Sequence, residues 1–346
     1  MLALDNAELM HSPSVDIIIP YYRRRDMLER CLDSLEQCSY PSMGIIVVDN
    51  GGTEAGLVFL VKRYRNARLL RLAENRGYAG GCNAGLKSST ADYVVFMNDD
   101  TEHDLLWLEQ LVSVALEDDH IGALQPKILA MKPYKKGKKV FDYAGAAGGM
   151  IDCLGYPWGL GRTFSGVELD KGQYDSEQDI FWASGVAMFV QRVVAEGLGG
   201  FDEDFFMQME EIDLSWRMQL AGYRVRSVPS SVVLHEGGAS LPGGSVEKIY
   251  FNHRNNVVML LKNLGTARLL RVIPLRLLLD VAAAFFYLTQ FPGGLKKSGA
   301  VFRAWWFTIR SIAATMKKRR MVQSTRVVGD RTIFRHSPLS FIARRR

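Results

Sequence analysis

Short β-branched apolar runs alternate with stretches of helical spacing over the first hundred residues. Val15–Pro20, Gly44–Asp49, Ala67–Leu72 and Tyr93–Met97 read as strands. After Asp26, expected to cap a helix, Met27, Leu28, Cys31, Leu32 and Leu35 recur at helical positions; Glu54–Arg65 and Ala79–Lys87 read as further helices. Apolar strands joined by helical crossovers predict an α/β fold whose mainly parallel central sheet is covered on both faces. Beyond them the pattern predicts a helix over Asp104–Glu117 and a Gly- and aromatic-rich loop region over Tyr143–Gly161. A strand over Ile180–Val190, a helix over Glu211–Leu220 stopped by Gly222, and a strand over Val225–Leu234 running into His235 follow. From Val246 to Lys318 the pattern is helical, with bulky apolar residues interrupted by Arg and Lys. Leu275–Leu288, opening just after Pro274, and Val301–Ile312 fit amphipathic elements on a membrane surface, or a helical hairpin packed on the main domain. The expected division is residues 1–245 and residues 246–346.

Charge sharpens the picture of the second segment. Lys317–Arg346 carries ten Lys/Arg against a single acid, Asp330, whereas the whole chain of 346 residues has a net charge of only +6. A basic end beside apolar helices suits an anionic membrane surface, and nothing points to nucleic acid. The longest apolar stretch, near Val281–Thr289, is too short to span a bilayer. The first strand opens after a short polar lead, so no signal peptide is expected. Cys31, Cys38, Cys82 and Cys153 have neither CxxC spacing nor the density of a disulfide framework, as suits a reducing cytosol.

In open parallel sheets ligands sit at the carboxyl ends of the strands. Tyr21-Tyr22-Arg23, Asp49-Asn50 and Asn98-Asp99-Asp100 all fall there. Carboxylates directly after a buried strand suit a hard-oxygen site for Mg²⁺ or Mn²⁺ bridging to phosphates, where such a cation neutralises a departing diphosphate. Glu210 and Glu211 begin a helix, and one of them facing the sheet's open end could act as general base toward an acceptor hydroxyl; Asp213 and Arg217, one turn apart, are expected to pair. His235 ends a strand expected to run parallel to the others, which makes it a further candidate metal ligand. Asn75-Arg76-Gly77-Tyr78-Ala79-Gly80-Gly81-Cys82-Asn83 follows the third strand rather than the first, so it is weak as a dinucleotide fingerprint, yet its small residues permit close approach to a diphosphate.

Taken in order, VDIIIPYYRR, VVDN, NRGYAGGCNAG, the NDD loop, FWASGVAMFV, GGFDEDFFMQMEEIDLSWRMQLAGYRV and VVLHEGG resemble glycosyltransferase family 2, in its rhamnosyltransferase-like bacterial branch, from about Val15 to about Asn263. The resemblance implies the GT-A fold, with C-terminal helices beyond it. It implies an inverting, metal-dependent hexosyl transfer from a UDP- or dTDP-linked sugar to a lipid-linked or glycan acceptor in surface polysaccharide synthesis, at the inner face of the bacterial cell membrane. Residue by residue, it implies that Pro20, Tyr21 and Tyr22 line the nucleoside pocket, that Asp49 bonds the base, and that Asn75 and Gly77 border the nucleotide. Asn98 and Asp100 take the outer positions of the DxD-type motif, with Asp100 on the metal and Asp99 on the donor's ribose or sugar. Glu211, preceded by Glu210, falls at the catalytic base, His235 at a metal-coordinating histidine, and Trp182 and Gly185 on the acceptor side. Two departures stand out: the loop reads NDD, and the base candidate is Glu where Asp is frequent.

A nucleotidyltransferase would carry a Gly-rich phosphate loop directly after the first strand, where this chain has Pro20-Tyr21-Tyr22. A non-catalytic nucleotide-sugar-binding membrane protein would be expected to have lost the strand-end carboxylates, yet Asp99, Asp100, Glu210 and Glu211 are all present.

Overall fold

The computed structural model describes residues 12–338, apart from 53, 55, 164, 165, 238–241, 243 and 336. Gly238 after His235 and the terminal Arg344–Arg346 of the basic segment therefore lie outside the described residues.

The chain opens with β1 (Val15–Tyr21), α1 (Arg25–Glu36), β2 (Met43–Asn50), α2 (Leu57–Val61), β3 (Ala67–Leu72), α3 (Gly77–Ser88) and β4 (Tyr93–Met97). Then come β5 (Thr101–His103), α4 (Trp107–Ala115), β6 (Ile121–Ala130), α5 (Met131–Tyr134) and a hairpin of β7 (Gly149–Ile151) and β8 (Pro157–Gly159). After β9 (Gln178–Asp179), β10 (Ala187–Gln191), α6 (Arg192–Gly197), α7 (Glu210–Leu220) and β11 (Arg224–His235), the chain turns helical. Its helices are α8 (Val246–Asn263), α9 (Thr266–Leu288), α10 (Gly294–Arg310), α11 (Ile312–Ser324) and α12 (Asp330–Ile333).

Among the described residues the main sheet has nine strands, in the order β3-β2-β1-β4-β10-β6-β11-β5, with β9 beside β11. The first four are parallel. β10 runs antiparallel to both β4 and β6, and β11 is parallel to β6 again. Side chains alternate across β1 and β2 as the period of two requires. Ile17, Ile19, Ile45 and Val47 pack under α1, α2 and α4, while Ile18, Ile46 and Val48 pack under α3, α6 and α7.

The structure corrects several local expectations. Helix α1 begins at Arg25, with Arg24 at the cap position and no side-chain capping bond; Asp26 lies in the first turn, where the helix dipole favours it. Helix α2 is confined to Leu57–Val61, and Glu54, expected to open it, instead accepts a hydrogen bond from the Tyr21 hydroxyl. Of the expected strand Ile180–Val190 only Ala187 onward pairs in the sheet. Strand β6 escaped the apolar pattern because Gln125, Pro126 and Lys127 interrupt it. Those polar groups are buried and satisfied, Gln125 by the Gly145 carbonyl and the Ser184 amide, Lys127 by Asp170 and Asp175. Helix α9 does not open after Pro274 but runs through it from Thr266.

The pair expected on α7 is present, Arg217 Nε donating to Asp213 Oδ2 at 2.8 Å, but it is one corner of a larger network. Lys262 of α8, 2% exposed, reaches the same oxygen at 3.0 Å and Asp202 at 2.5 Å, while Asn263 Nδ2 donates to Asp213 Oδ1 at 3.0 Å. Helix α8 is thereby fastened to α7. Cutting one partner out of a buried charge network leaves the others uncompensated, so Lys262→Met should cost about 3 kcal/mol of stability in urea denaturation.

Candidate active site

The segment leading into α7 is strained. Phe206, Gln208 and Met209 all have positive φ (63°, 70° and 74°), a conformation that L side chains rarely hold unless their surroundings impose it. Here α8 imposes it. Asn255 Nδ2 donates to the carbonyls of Phe205, Met207 and Gln208 at 3.1, 2.9 and 2.6 Å, and Arg254 donates to those of Asp204 and Phe205. From the other side, Gly77 (φ 70°) lies so close that a Cβ would collide with the Phe206 carbonyl oxygen, and Ala79 N–H donates to that oxygen at 3.2 Å. Gly77→Ala should therefore displace the segment, lowering kcat/KM about 100-fold with a smaller loss in thermal stability; steady-state kinetics beside a melting curve separates the two.

That clamp aims Glu210 and Glu211 into a cleft of about 400 Å³, bordered also by Tyr78, Asn98, Trp182, Ser184 and Gly185. The Oε2 atoms of both glutamates are buried without a hydrogen-bond partner. Burial pushes the Glu210 carboxyl well above the ordinary range, with the neighbouring Glu211 charge adding to it, and burial raises Glu211 to about 7. Trp182 forms part of the wall, its Nε1 donating to the Met150 carbonyl at 2.9 Å, and Gly185 O accepts from the Tyr78 hydroxyl at 2.5 Å.

Asn98 also borders a second constellation. Its Nδ2 lies 3.2 Å from His235 Nε2, at the end of β11. The strand is parallel to β6 and brings the imidazole against the NDD loop, Nε2 3.2 Å from Asp100 Oδ1. On the other side Nδ1 meets Asp142 Oδ1 at 3.0 Å, which fixes the ring's orientation. Burial alone would push this imidazole down, but the hydrogen bonds to Asp100 and Asp142 outweigh it and raise it to about 10. Burial would likewise raise the Asp100 carboxyl, yet His235 and Arg24 hold it below its usual range. Burial, with Asp100 beside it, brings Asp99 up to about 7, against the pull of Arg24.

These residues suit a divalent cation. Buried Asp100 Oδ1 meets at 3.2 Å an imidazole nitrogen whose ring is braced by a second carboxylate, the usual support of a metal-binding histidine. Among the described residues no set of three or more His, Cys, Asp or Glu converges on one point. A cation here would take Asp100 and His235 from the protein and the rest of its oxygens from a diphosphate, as is common where Mg²⁺ or Mn²⁺ serves phosphate chemistry.

Not every sequence-derived candidate reaches an open surface. Tyr21 is fully buried, its hydroxyl donating to Glu54, while Tyr22 is exposed with Arg23 stacked on it. Asp49 is buried and accepts from the Gly52 N–H at 2.9 Å. Neighbouring Asn50 bridges the Gly77 carbonyl and the Arg76 N–H, and Asn75 caps the Gly77 N–H. Pro20 packs against Gly81. Several contributors were not read from the sequence: Arg24, Asp142, and the α8 and α9 residues that line the cleft, Lys248, His253, Asn256 and Arg276 chief among them. An acid in a Gly-rich stretch and polar breaks in an apolar helix were the available signals.

An α/β sheet with acids at its strand ends, a braced histidine and, across Asn98, a cleft with a buried carboxyl pair has the layout of a GT-A glycosyltransferase. Residues 16–146 match the model of Glycosyl transferase family 2. Over 234 residues the chain is 29% identical to the O-antigen biosynthesis protein RfbC of Myxococcus xanthus, covering 66% of this chain but only 18% of that protein. Over 246 residues it is 29% identical to the N-acetylglucosaminyl-diphospho-decaprenol L-rhamnosyltransferase of Mycobacterium tuberculosis, covering 67% and 79%. The fold is shared with GalNAc-T7, crystallised with UDP, GalNAc and Mn²⁺ (TM-score 0.59, 15% identity, 87% of this chain and 57% of that one). It is shared too with residues 1–349 of Staphylococcus aureus TarS (TM-score 0.56, 14% identity, 93% and 90%). The family 2 match is confined to residues 16–146, and the chain as a whole has the GT-A fold of a glycosyltransferase.

Proposed function

We propose that this protein transfers a hexose with inversion from a UDP- or dTDP-linked donor to a hydroxyl of a lipid-linked surface-glycan acceptor. The observation that carries the proposal is the placement of Asn98 between two constellations: the Asp100–His235–Asp142 line on one side and the Glu210–Glu211 cleft on the other. Glu211 accepts the proton of the acceptor hydroxyl; that oxygen bonds to the anomeric carbon as the bond from this carbon to the diphosphate oxygen breaks, its electron pair leaving with the nucleoside diphosphate. A divalent cation on Asp100 and His235 would offset the charge gathering on the leaving group. The relatives named for O-antigen synthesis and for rhamnosyl transfer onto a diphospho-decaprenol support the substrate classes. The test is a panel of UDP- and dTDP-sugars with Mn²⁺, read first by thermal shift and then by product anomeric configuration in NMR. A product that retains the donor's configuration would overturn the mechanism.

The proposal extends to where the reaction takes place. Leu270, Leu278, Phe285 and Phe286 on α9, Phe291 in the turn, and Leu295, Phe302, Trp306 and Ile309 on α10 are all exposed. Exposed Arg271, Lys296, Arg303 and Arg310 accompany them. No helix among the described residues is long and apolar enough to cross a membrane. A hairpin with an apolar face among cations suits the surface of an anionic bilayer, lying in it rather than through it. In flotation assays the protein should rise with phosphatidylglycerol vesicles and much less with phosphatidylcholine ones, and Phe285→Glu combined with Trp306→Glu should abolish the effect. Dimerisation in sedimentation without vesicle binding would assign the face to a second copy instead.

A further inference from the structure

Within the cleft, charge is unevenly partnered. Arg276 lies 3.5 Å and His253 3.0 Å from Asp280, so both of these basic side chains have a carboxylate partner. Arg162 and Lys248 do not: among the described residues neither makes an ion pair. Both gather on one ring. Arg162 stacks on Tyr143 with its guanidinium carbon 3.8 Å from the ring centre and donates to the Tyr143 hydroxyl at 2.5 Å, and Lys248 Nζ lies 6.0 Å from the same centre. Neither is well exposed to water. Burial lowers both cations, and Arg162 lowers Lys248 further. The carboxylates lining the cleft are Glu210 and Glu211, and neither pairs with these cations. Two adjacent, half-buried cations without a counter-ion form a site for an anion brought by a ligand. A guanidinium fork beside an ammonium suits a phosphate best.

Two phosphates could come here, the donor's and the acceptor's. The Asp100–His235 end, reached through Asn98, is the place for the donor's diphosphate. Arg162 and Lys248 stand with the β8 loop and the start of α8, in a cleft that α9 also borders through Arg276. Helix α9 buries Arg276, which lines the cleft, and Asp280 beside it, while Leu275, Leu278, Phe285 and Phe286 are exposed. One helix thus separates the cleft from the apolar surface. We infer that Arg162 and Lys248 bind the phosphate or diphosphate of an acceptor whose lipid chain lies along the exposed face of α9, an inference that rests on the transferase reading above.

Calorimetric titration with farnesyl diphosphate, farnesol, and UDP plus Mn²⁺ tests it. The wild-type protein should bind farnesyl diphosphate at least about tenfold more tightly than farnesol. Arg162→Gln with Lys248→Gln should remove that preference and leave UDP binding unchanged, with circular dichroism melting as the check on folding; should the pair fail to fold, Lys248→Gln alone at the start of α8 should still weaken farnesyl diphosphate selectively. Loss of UDP binding with farnesyl diphosphate retained would assign the cations to the donor and overturn the inference. So would equal binding of farnesol and farnesyl diphosphate by the wild type, or an unchanged preference in the variant. Failure of the wild type to bind UDP at all would instead sink the transferase reading, and this inference with it.

Discussion

Glu211→Gln is expected to lower kcat by about 10²–10⁴-fold while leaving the fold and UDP binding unchanged. The substitution keeps the shape of the side chain and removes only the ability to take a proton. The pH dependence follows from the same burial. Glu211, raised to about 7, is ionised and competent above that value and protonated below it, so kcat/KM should fall as pH drops through about 7. Glu210, pushed higher still, remains neutral there, and the pair carries a single negative charge. Any residual activity in the variant should lack that acidic limb. Stability runs the other way: a carboxyl raised on folding stabilises the protein most below its unfolded value of 4.5, and that contribution is lost as pH rises through about 7. Glu210→Gln should accordingly melt higher than wild type at pH 8. A pH–rate profile for Glu211→Gln that kept both its height and its acidic limb would remove this residue from the mechanism.

The parallel half of the fold was legible because its strands are short, mostly apolar runs, β-branched at the centre of β1 and β2, and the acids after them stood out against that background. Strand β6 was not, since Gln125 and Lys127 are polar for reasons local periodicity cannot reveal: their partners, Gly145, Ser184, Asp170 and Asp175, come from later loops. Asp142 is hidden in the same way, 93 residues from the histidine it braces. The larger surprise is α8. Its Asn255 holds the strained entry to α7, and its Lys248, His253 and Asn256 face the cleft, so residues past 245 help to shape the site. In the sequence these polar positions look like breaks in an amphipathic stripe, which is what a helix that packs on one side and lines a ligand cleft on another must show.

Asp100→Asn should be nearly as damaging, costing about 10³-fold in turnover, and its signature is different from that of Glu211→Gln. An amide keeps the shape and most hydrogen bonds of the carboxyl but removes the charge that faces His235 Nε2 across 3.2 Å. Mn²⁺ with UDP should raise the melting temperature of wild type, since a ligand of the folded state stabilises it by mass action, and should raise that of the variant much less. Asp142→Asn tests the brace. It leaves His235 in place but weakens the bond that orients the ring, so Mn²⁺ affinity should drop about 10–100-fold with UDP binding in the absence of metal unaltered. Because Asp99 stays paired with Arg24 in both variants, neither should lose the fold. If Asp100→Asn kept the full Mn²⁺-dependent shift, the cation would have to sit elsewhere, and the leaving group would draw its stabilisation from Arg24 and the NDD loop's own amides rather than from the end of β11.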